Sequence, residues 1–131
     1  MVSAEDSGPD FDLAAAGLRA DGADLRISLE ALAKKLELSL PGRARVERSG
    51  GGLLRRGERQ VRELSVDMSG TTYQLIAGEP VECFRERRVG GISIKREPLD
   101  PEAWLAALTA ELRSEAERSS EARASLERLL G

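Results

Sequence analysis

The spacing of apolar residues along this chain changes twice, from a helical period to a strand period and back again. Helical spacing covers residues 11–40 and 101–130 of the 131 residues, and strand spacing covers 43–97. Helices and strands place apolar side chains on one face at different repeats, so the segments cannot exchange roles. We therefore predict an α+β domain over 10–131, after a flexible tail at 1–9: a long N-terminal helix, a four- to five-stranded antiparallel meander and a long C-terminal helix.

The first helical segment has a narrow apolar seam, because its leucines recur at steps of seven, four, three and four. The seam residues are Leu18, Leu25, Leu29, Leu32 and Leu36. Pro41 and Gly42 end the pattern, as expected after a helix. Gly17 and Gly22 each cost about 1 kcal/mol relative to alanine in a helix. A break near Gly22, giving two shorter helices, is left open.

The middle segment alternates apolar and polar residues, which is typical of half-buried strands. The predicted strands cover 43–48, 64–68, 71–77, 81–89 and 92–94. Gly90 and Gly91 form a two-residue hairpin signal between the last two. By alternation, Ile94 shares the core face with Leu64. Ile76 and Phe84 fall on the opposite face, which indicates either a contact surface there or a β-bulge or loop that covers them.

The last helix is predicted to begin after Asp100, with Pro101 at its first position. Its seam consists of Leu105, Leu108, Leu112, Ala116, Ser119, Ala122, Leu126 and Leu129. Helices of about 30 residues would be about 45 Å long, whereas the strands reach only about 20–27 Å. We therefore expect the seams to extend past the sheet and to be buried in a homodimer or higher homo-oligomer. The candidate self-association or partner face is Leu18, Leu25, Leu29, Leu32, Leu36, Ile76, Phe84, Leu112, Leu126 and Leu129.

Composition excludes much of catalysis and of metal chemistry. The chain has no histidine and one cysteine, so it has no Ser-His-Asp triad, Cys-His dyad, histidine metal ligand or internal disulfide. We predict no enzyme activity, no cofactor, no metal and no catalytic residues. No run of about 18 apolar residues exists to span a membrane, and the acidic start lacks a secretory leader, which favours a cytoplasmic location.

Seven arginines within twenty residues form the candidate polyanion-binding segment, 43–62. They are Arg43, Arg45, Arg48, Arg55, Arg56, Arg59 and Arg62. Arginine forks suit phosphate groups, but no aromatic residue is interleaved to stack on bases. The alternative is a solvated loop and strand edge that charge protects from aggregation. The net charge of −3 speaks against nucleic acid as the main partner.

Three other features are given structural interpretations. Cys83 falls on the predicted core face and is expected to be a small buried hydrophobe. Trp104 is expected to pack the last helix onto the sheet. Glu115 and its neighbours Glu117 and Glu121 are expected to be solvated, since several arginines lie nearby to pair with them.

The helix–sheet–helix layout over most of the chain resembles that of the YbaB/EbfC nucleoid-associated proteins, although the last helix is longer here. That resemblance implies a small dimer that binds nucleic acid without sequence specificity. The stretches Phe11–Arg19 (FDLAAAGLR) and Ile94–Trp104 (IKREPLDPEAW) are also similar to segments of a family of small actinobacterial proteins without assigned function. This second resemblance implies no activity.

The sequence favours a non-enzymatic interaction or scaffold protein that self-associates through its helix seams and binds an unidentified protein partner. The alternative is a YbaB-like protein that binds nucleic acid nonspecifically through segment 43–62.

Overall fold

The computed structural model describes residues 15–49 and 60–131. The helices that follow the helical residues 15–18 are α1 (Gly22–Ser39), α2 (Pro101–Ala116) and α3 (Ser120–Leu130). The strands are β1 (Ala44–Arg48), β2 (Val61–Met68), β3 (Thr71–Ile76), β4 (Glu82–Val89) and β5 (Ile92–Leu99). The predicted α+β class, with an antiparallel sheet between N-terminal and C-terminal helices, is confirmed.

The five strands form one sheet in the order β1-β2-β3-β4-β5, and every neighbouring pair is antiparallel. Cross-strand partners share a face, so Leu64, Leu75, Cys83 and Leu99 line up on one side of β2 to β5. The link between β1 and β2, and the predicted tail at 1–9, lie outside the described residues.

The helices form a second layer on one face of the sheet, α1 and α2 by contact with the strands and α3 by contact with those two helices. α1 contacts β1 and β2, α2 contacts β4 and β5, and α3 contacts both other helices. Trp104 of α2 is fully buried, with its ring edge-on to that of Tyr73 at 6.3 Å between centroids. The prediction that Trp104 packs the last helix onto the sheet is confirmed. Cys83 is buried beneath the same layer, as expected.

The prediction of one N-terminal helix over 11–40 is wrong, because the helix is interrupted before Gly22. Residues 15–18 are helical, 19–21 are not, and α1 begins at Gly22 with a φ of +55°. Glycine adopts that conformation without steric cost. The Gly22 N–H donates to Oε2 of Glu79 at 2.8 Å, which satisfies one backbone donor at the start of α1. The alternative of two shorter helices is the observed one.

The prediction of one C-terminal helix over 101–130 is also wrong. α2 ends at Ala116, and Ser119 caps the next helix by accepting a hydrogen bond from the Ala122 N–H at 3.2 Å. A serine hydroxyl at this position is among the best N-caps. The break lets α3 turn back onto α1, where Arg128 donates to the Ser39 carbonyl oxygen at 3.3 Å.

The leucine seams are covered within the one chain, which overturns the prediction that they need a second chain. The buried seam residues are Leu18, Leu25, Leu29, Leu36, Leu112 and Leu129, and the partly buried ones are Leu32 and Leu126. The cause is helix length. An 18-residue helix is about 27 Å long, which matches strands of eight residues at roughly 3.3 Å each. These leucines stabilise the fold and are not a self-association face.

The expectation that Glu115 is solvated is wrong as well. Its side chain is 8% exposed and lies 2.8 Å from Nη1 of Arg43. Arg43 precedes β1 and Glu115 lies near the end of α2, so the ion pair joins the two layers at one end of the domain. The Glu115 carboxylate has a second donor, since the Ser69 N–H approaches its other oxygen at 3.4 Å.

Candidate binding surface on the open face of the sheet

The sheet face opposite the helices, called the open face here, is not covered by any described helix. Its side chains follow from alternation: in each strand, the residues between those buried under the helices point to this face. One row crosses the whole sheet through the paired residues Arg45, Ser65, Gln74, Phe84 and Pro98. The candidate surface is therefore built on regular strands, which hold side chains in fixed positions.

Two further rows complete the open face. One consists of Asp67, Thr72, Glu86 and Arg96, and the other of Glu47, Glu63, Ile76 and Glu82. Across the three rows, the polar side chains are five carboxylates, two guanidinium groups, one amide and two hydroxyls, and Ile76 is the aliphatic one. The surface thus offers hydrogen-bond donors and acceptors of both charges.

The ring of Phe84 is half-buried on the open face beneath the guanidinium of Arg96, whose Cζ lies 3.7 Å from the ring centroid. Arg96 also donates to Oε1 of Gln74 at 2.7 Å, and Gln74 donates to Glu63 at 2.6 Å. The prediction that Ile76 and Phe84 lie opposite the core is confirmed. Phe84 is shielded by a stacked cation rather than by a bulge or a loop.

A groove of about 630 Å³ lies on the open face between β1 and the β4–β5 hairpin. Asp67 accepts from Thr72 at 3.1 Å and pairs with Arg45 at 3.0 Å on one wall. Glu86 pairs with Arg88 at 3.0 Å on the other. Hydrogen bonds, rather than apolar contact, would hold a molecule in such a groove.

Two ionisable groups near the sheet centre are made less reactive by their surroundings. Burial raises the pKa of the Cys83 thiol to about 12. Burial, with the nearby carboxylate of Glu111, raises the pKa of the Tyr73 hydroxyl, which donates to that carboxylate at 2.7 Å. On the open face, a hydrogen bond from Ser93 and the charge of Arg88 lower the pKa of Glu86. Each of these groups stays in its ordinary ionisation state at neutral pH.

The four candidate polyanion residues within the described ranges, Arg43, Arg45, Arg48 and Arg62, are not brought to one surface. Arg48 lies on the helix side of β1, where it pairs with Glu30 at 3.0 Å, whereas Arg45 lies on the open face. Arg43 is bonded to the buried Glu115. Arg62 is exposed in β2. Arg55, Arg56 and Arg59 lie outside the described residues.

A second exposed surface lies at the tip of the β4–β5 hairpin. Val89, Ile92 and Ile94 are 60%, 70% and 63% exposed. The prediction that Ile94 lies on the core face is wrong, because the register of β4 and β5 shifts between Arg87 and Arg88. Such a bulge alters the alternation of the residues that follow it.

Sequence reasoning missed most of the groove. The strands that carry Asp67, Thr72 and Glu86 were predicted correctly from their apolar residues. These three are among the polar residues that alternate with the apolar ones. Their alternation with buried residues is the signal that could have identified them. Alternation within one strand does not show which residues of neighbouring strands are paired, because the strand register depends on the turns and the bulge.

Neither a cluster of metal-ligating side chains nor a membrane-spanning helix occurs in residues 15–49 and 60–131. No group of three or more histidine, cysteine, aspartate or glutamate side chains in those ranges could hold a metal ion. No helix there has the length and apolarity needed to cross a membrane. Comparison with protein families, curated proteins and solved structures gave no match. The resemblance to the YbaB/EbfC proteins stays a prediction.

Proposed function

We propose that this chain is a non-enzymatic, cytoplasmic binding module that recognises a protein partner through the open face of its sheet. The observation that carries the proposal is the groove of about 630 Å³, which lies on a regular sheet and is lined by polar side chains of both charges. The half-buried Ile76 and Phe84 lie on the same face.

The chemistry of the groove supports a polypeptide as the ligand. A peptide supplies both donors and acceptors along its main chain, and these suit the carboxylates of Asp67 and Glu86 and the guanidinium groups of Arg45 and Arg88. Interfaces between proteins are typically formed by such mixed polar contacts around a small apolar centre. Phe84, stacked under Arg96, is the cross-strand partner of Gln74, which lines the groove, and offers an apolar side chain next to it.

Nucleic-acid binding through segment 43–62 has weaker support. A polyanion needs several free cations on one surface. Of the seven candidate arginines, Arg43, Arg45 and Arg48 each already pair with a carboxylate and lie on two sides of the sheet.

The test is affinity capture from the native cell, with nuclease treatment, by three forms of the chain. The open-face variant is Thr72→Arg, which places a long cation in the groove at a half-buried strand position. The control is Ala31→Arg, which adds the same charge on the exposed side of α1.

We expect the wild-type chain and Ala31→Arg to capture the same protein in a fixed stoichiometry, and Thr72→Arg to lose it. Equal capture by Thr72→Arg would contradict the proposal. Capture of nucleic acid alone, abolished by nuclease, would support the alternative function instead.

A further inference from the structure

The tip of the β4–β5 hairpin combines exposed aliphatic side chains with cations at a fixed spacing. Val89 and Ile92 are directly paired across the hairpin. The next pair on that side is Arg87 with Lys95, two residues further from the turn in β4 and three in β5, where Ile94 is the extra residue of the bulge. Two residues along a strand span roughly 7 Å. An apolar row is therefore followed, at that distance, by a row of positive charge on the same side of the hairpin.

The two cations of the second row are available to a ligand. Arg87 and Lys95 are exposed, and neither forms an ion pair with another residue in the described ranges. The other three cations of the hairpin are engaged within it, and the first of them, Arg85, pairs with Glu97 at 3.1 Å. Arg88 donates to the Gly91 carbonyl oxygen at 2.8 Å and thereby braces the turn, and Arg96 covers Phe84.

We propose that the hairpin tip binds the surface of an anionic lipid bilayer. Val89, Ile92 and Ile94 enter the boundary between headgroups and acyl chains, and Arg87 and Lys95 contact lipid phosphates. Peripheral proteins bury apolar side chains about 5–10 Å into that boundary, which fits the spacing between the two rows. The cytoplasmic leaflet carries the negative charge that such cations need.

A second copy of the chain is a less suitable occupant. β5 is an edge strand of the sheet, so edge-to-edge pairing of two copies is the obvious way to cover it. Lys95, Arg96 and Pro98 lie in the middle and at the end of that strand, and charges and proline on an edge oppose such pairing. Nucleic acid fits less well too, because the hairpin tip presents aliphatic side chains and no aromatic ring to stack on a base.

The test is co-sedimentation of the full chain with vesicles of phosphatidylcholine, or of phosphatidylcholine and phosphatidylglycerol in equal amounts. The tip variant is Ile92→Ser with Ile94→Ser, and the charge variant is Arg87→Glu with Lys95→Glu. Their controls are Ile27→Ser with Leu38→Ser, two equally exposed aliphatic positions of α1, and Arg26→Glu with Lys34→Glu on the same helix. Circular dichroism checks that each variant is folded.

We expect the wild-type chain and both controls to bind the mixed vesicles, and the tip and charge variants to bind them at least about tenfold more weakly. A polarity-sensitive dye on Val89→Cys should shift to shorter wavelength with mixed vesicles, whereas the same dye on Ile27→Cys should not. The buried Cys83 thiol does not compete for the label in the folded chain.

Three results would overturn the inference. They are the absence of binding to mixed vesicles, equal binding to neutral vesicles, and tip variants that bind as well as the wild-type chain. A gel shift of duplex DNA, or a dimer in sedimentation that the tip variants dissociate, in place of vesicle binding would assign the hairpin to those partners. The result does not depend on the open face, so it is independent of the capture experiment.

Discussion

The indole N–H of Trp104 donates to the main-chain carbonyl oxygen of Phe84 at 3.1 Å. The two residues lie on opposite sides of the same strand: Trp104 belongs to α2, and the Phe84 ring is on the open face. The helix layer therefore holds the backbone of a residue whose side chain belongs to the open face.

Trp104→Phe should lower the free energy of unfolding by about 2–4 kcal/mol, because it leaves a cavity and an unpaired carbonyl group. Urea unfolding followed by circular dichroism measures the loss. Phe84→Leu is the matched control, since it removes the stacked ring but keeps the carbonyl oxygen. We expect a loss of only about 1 kcal/mol for this change. Equal losses in the two variants would contradict this account.

Arg43→Ala should destabilise the fold by about 2–3 kcal/mol, because it leaves the buried carboxylate of Glu115 without its partner. Arg45→Ala removes the exposed pair with Asp67 and should cost at most about 1 kcal/mol. Chemical denaturation of both variants gives the comparison. Adding Glu115→Gln to Arg43→Ala should recover part of the lost stability, and no recovery would rule out an unpaired charge as the cause.

Stability should fall as pH rises above about 9, because the pKa of Cys83 is raised in the folded chain to about 12 from an ordinary value of 9.0. Below pH 9 the thiol is protonated in both states and its contribution is fully present. Above that pH the unfolded chain loses the proton first, so the free energy of unfolding falls by up to about 1.4 kcal/mol per pH unit.

The Cys83→Ala variant should show a flatter decline between pH 9 and 10. Tyr73, whose pKa is also raised, begins to contribute only above its ordinary value of 10.0. Cys83 in the native chain should also react with a thiol reagent only at the rate of unfolding. An unchanged slope in Cys83→Ala would show that another group titrates in this range.

Gly17→Ala should destabilise the fold by about 1–3 kcal/mol. A Cβ atom at this position would meet the side chain of Ser28 in α1, at 2.8 Å from its Cβ and closer still to its Oγ. In a Ser28→Gly background the same change should cost much less, since the obstructing atoms are absent. A double-mutant cycle measured by thermal unfolding would contradict the close approach if the two effects were additive.

Helix starts, turns and strands were predicted correctly where a few neighbouring residues determine the backbone conformation. Pro101 after Asp100 marked the start of α2, where the Asp100 carboxylate accepts from the Ala103 N–H at 2.8 Å. Gly90 and Gly91 marked the β4–β5 hairpin, and the alternation around Leu64 identified β2. Each of these signals acts over a few residues.

The features that were predicted wrongly depend on contacts between residues far apart in the sequence. Ser119 stood in an apparently continuous seam, and only the packing of α3 on α1 makes its cap preferable to another helical turn. Glu115 looked solvated because Arg43 is 72 residues away in the chain. Ile94 moved out of the core through a bulge that the turn and the strand register create together.

Every described helix lies on one side of the sheet. Alternate residues of the same strand are therefore under different selection, one set for packing under the helices and the other set not. Core packing constrains the buried residues Leu64, Leu75 and Cys83. That constraint is much weaker for their immediate neighbours in the chain, Ser65, Gln74 and Phe84. A lineage that carries this domain can therefore change the side chains of the open face while its architecture is inherited intact.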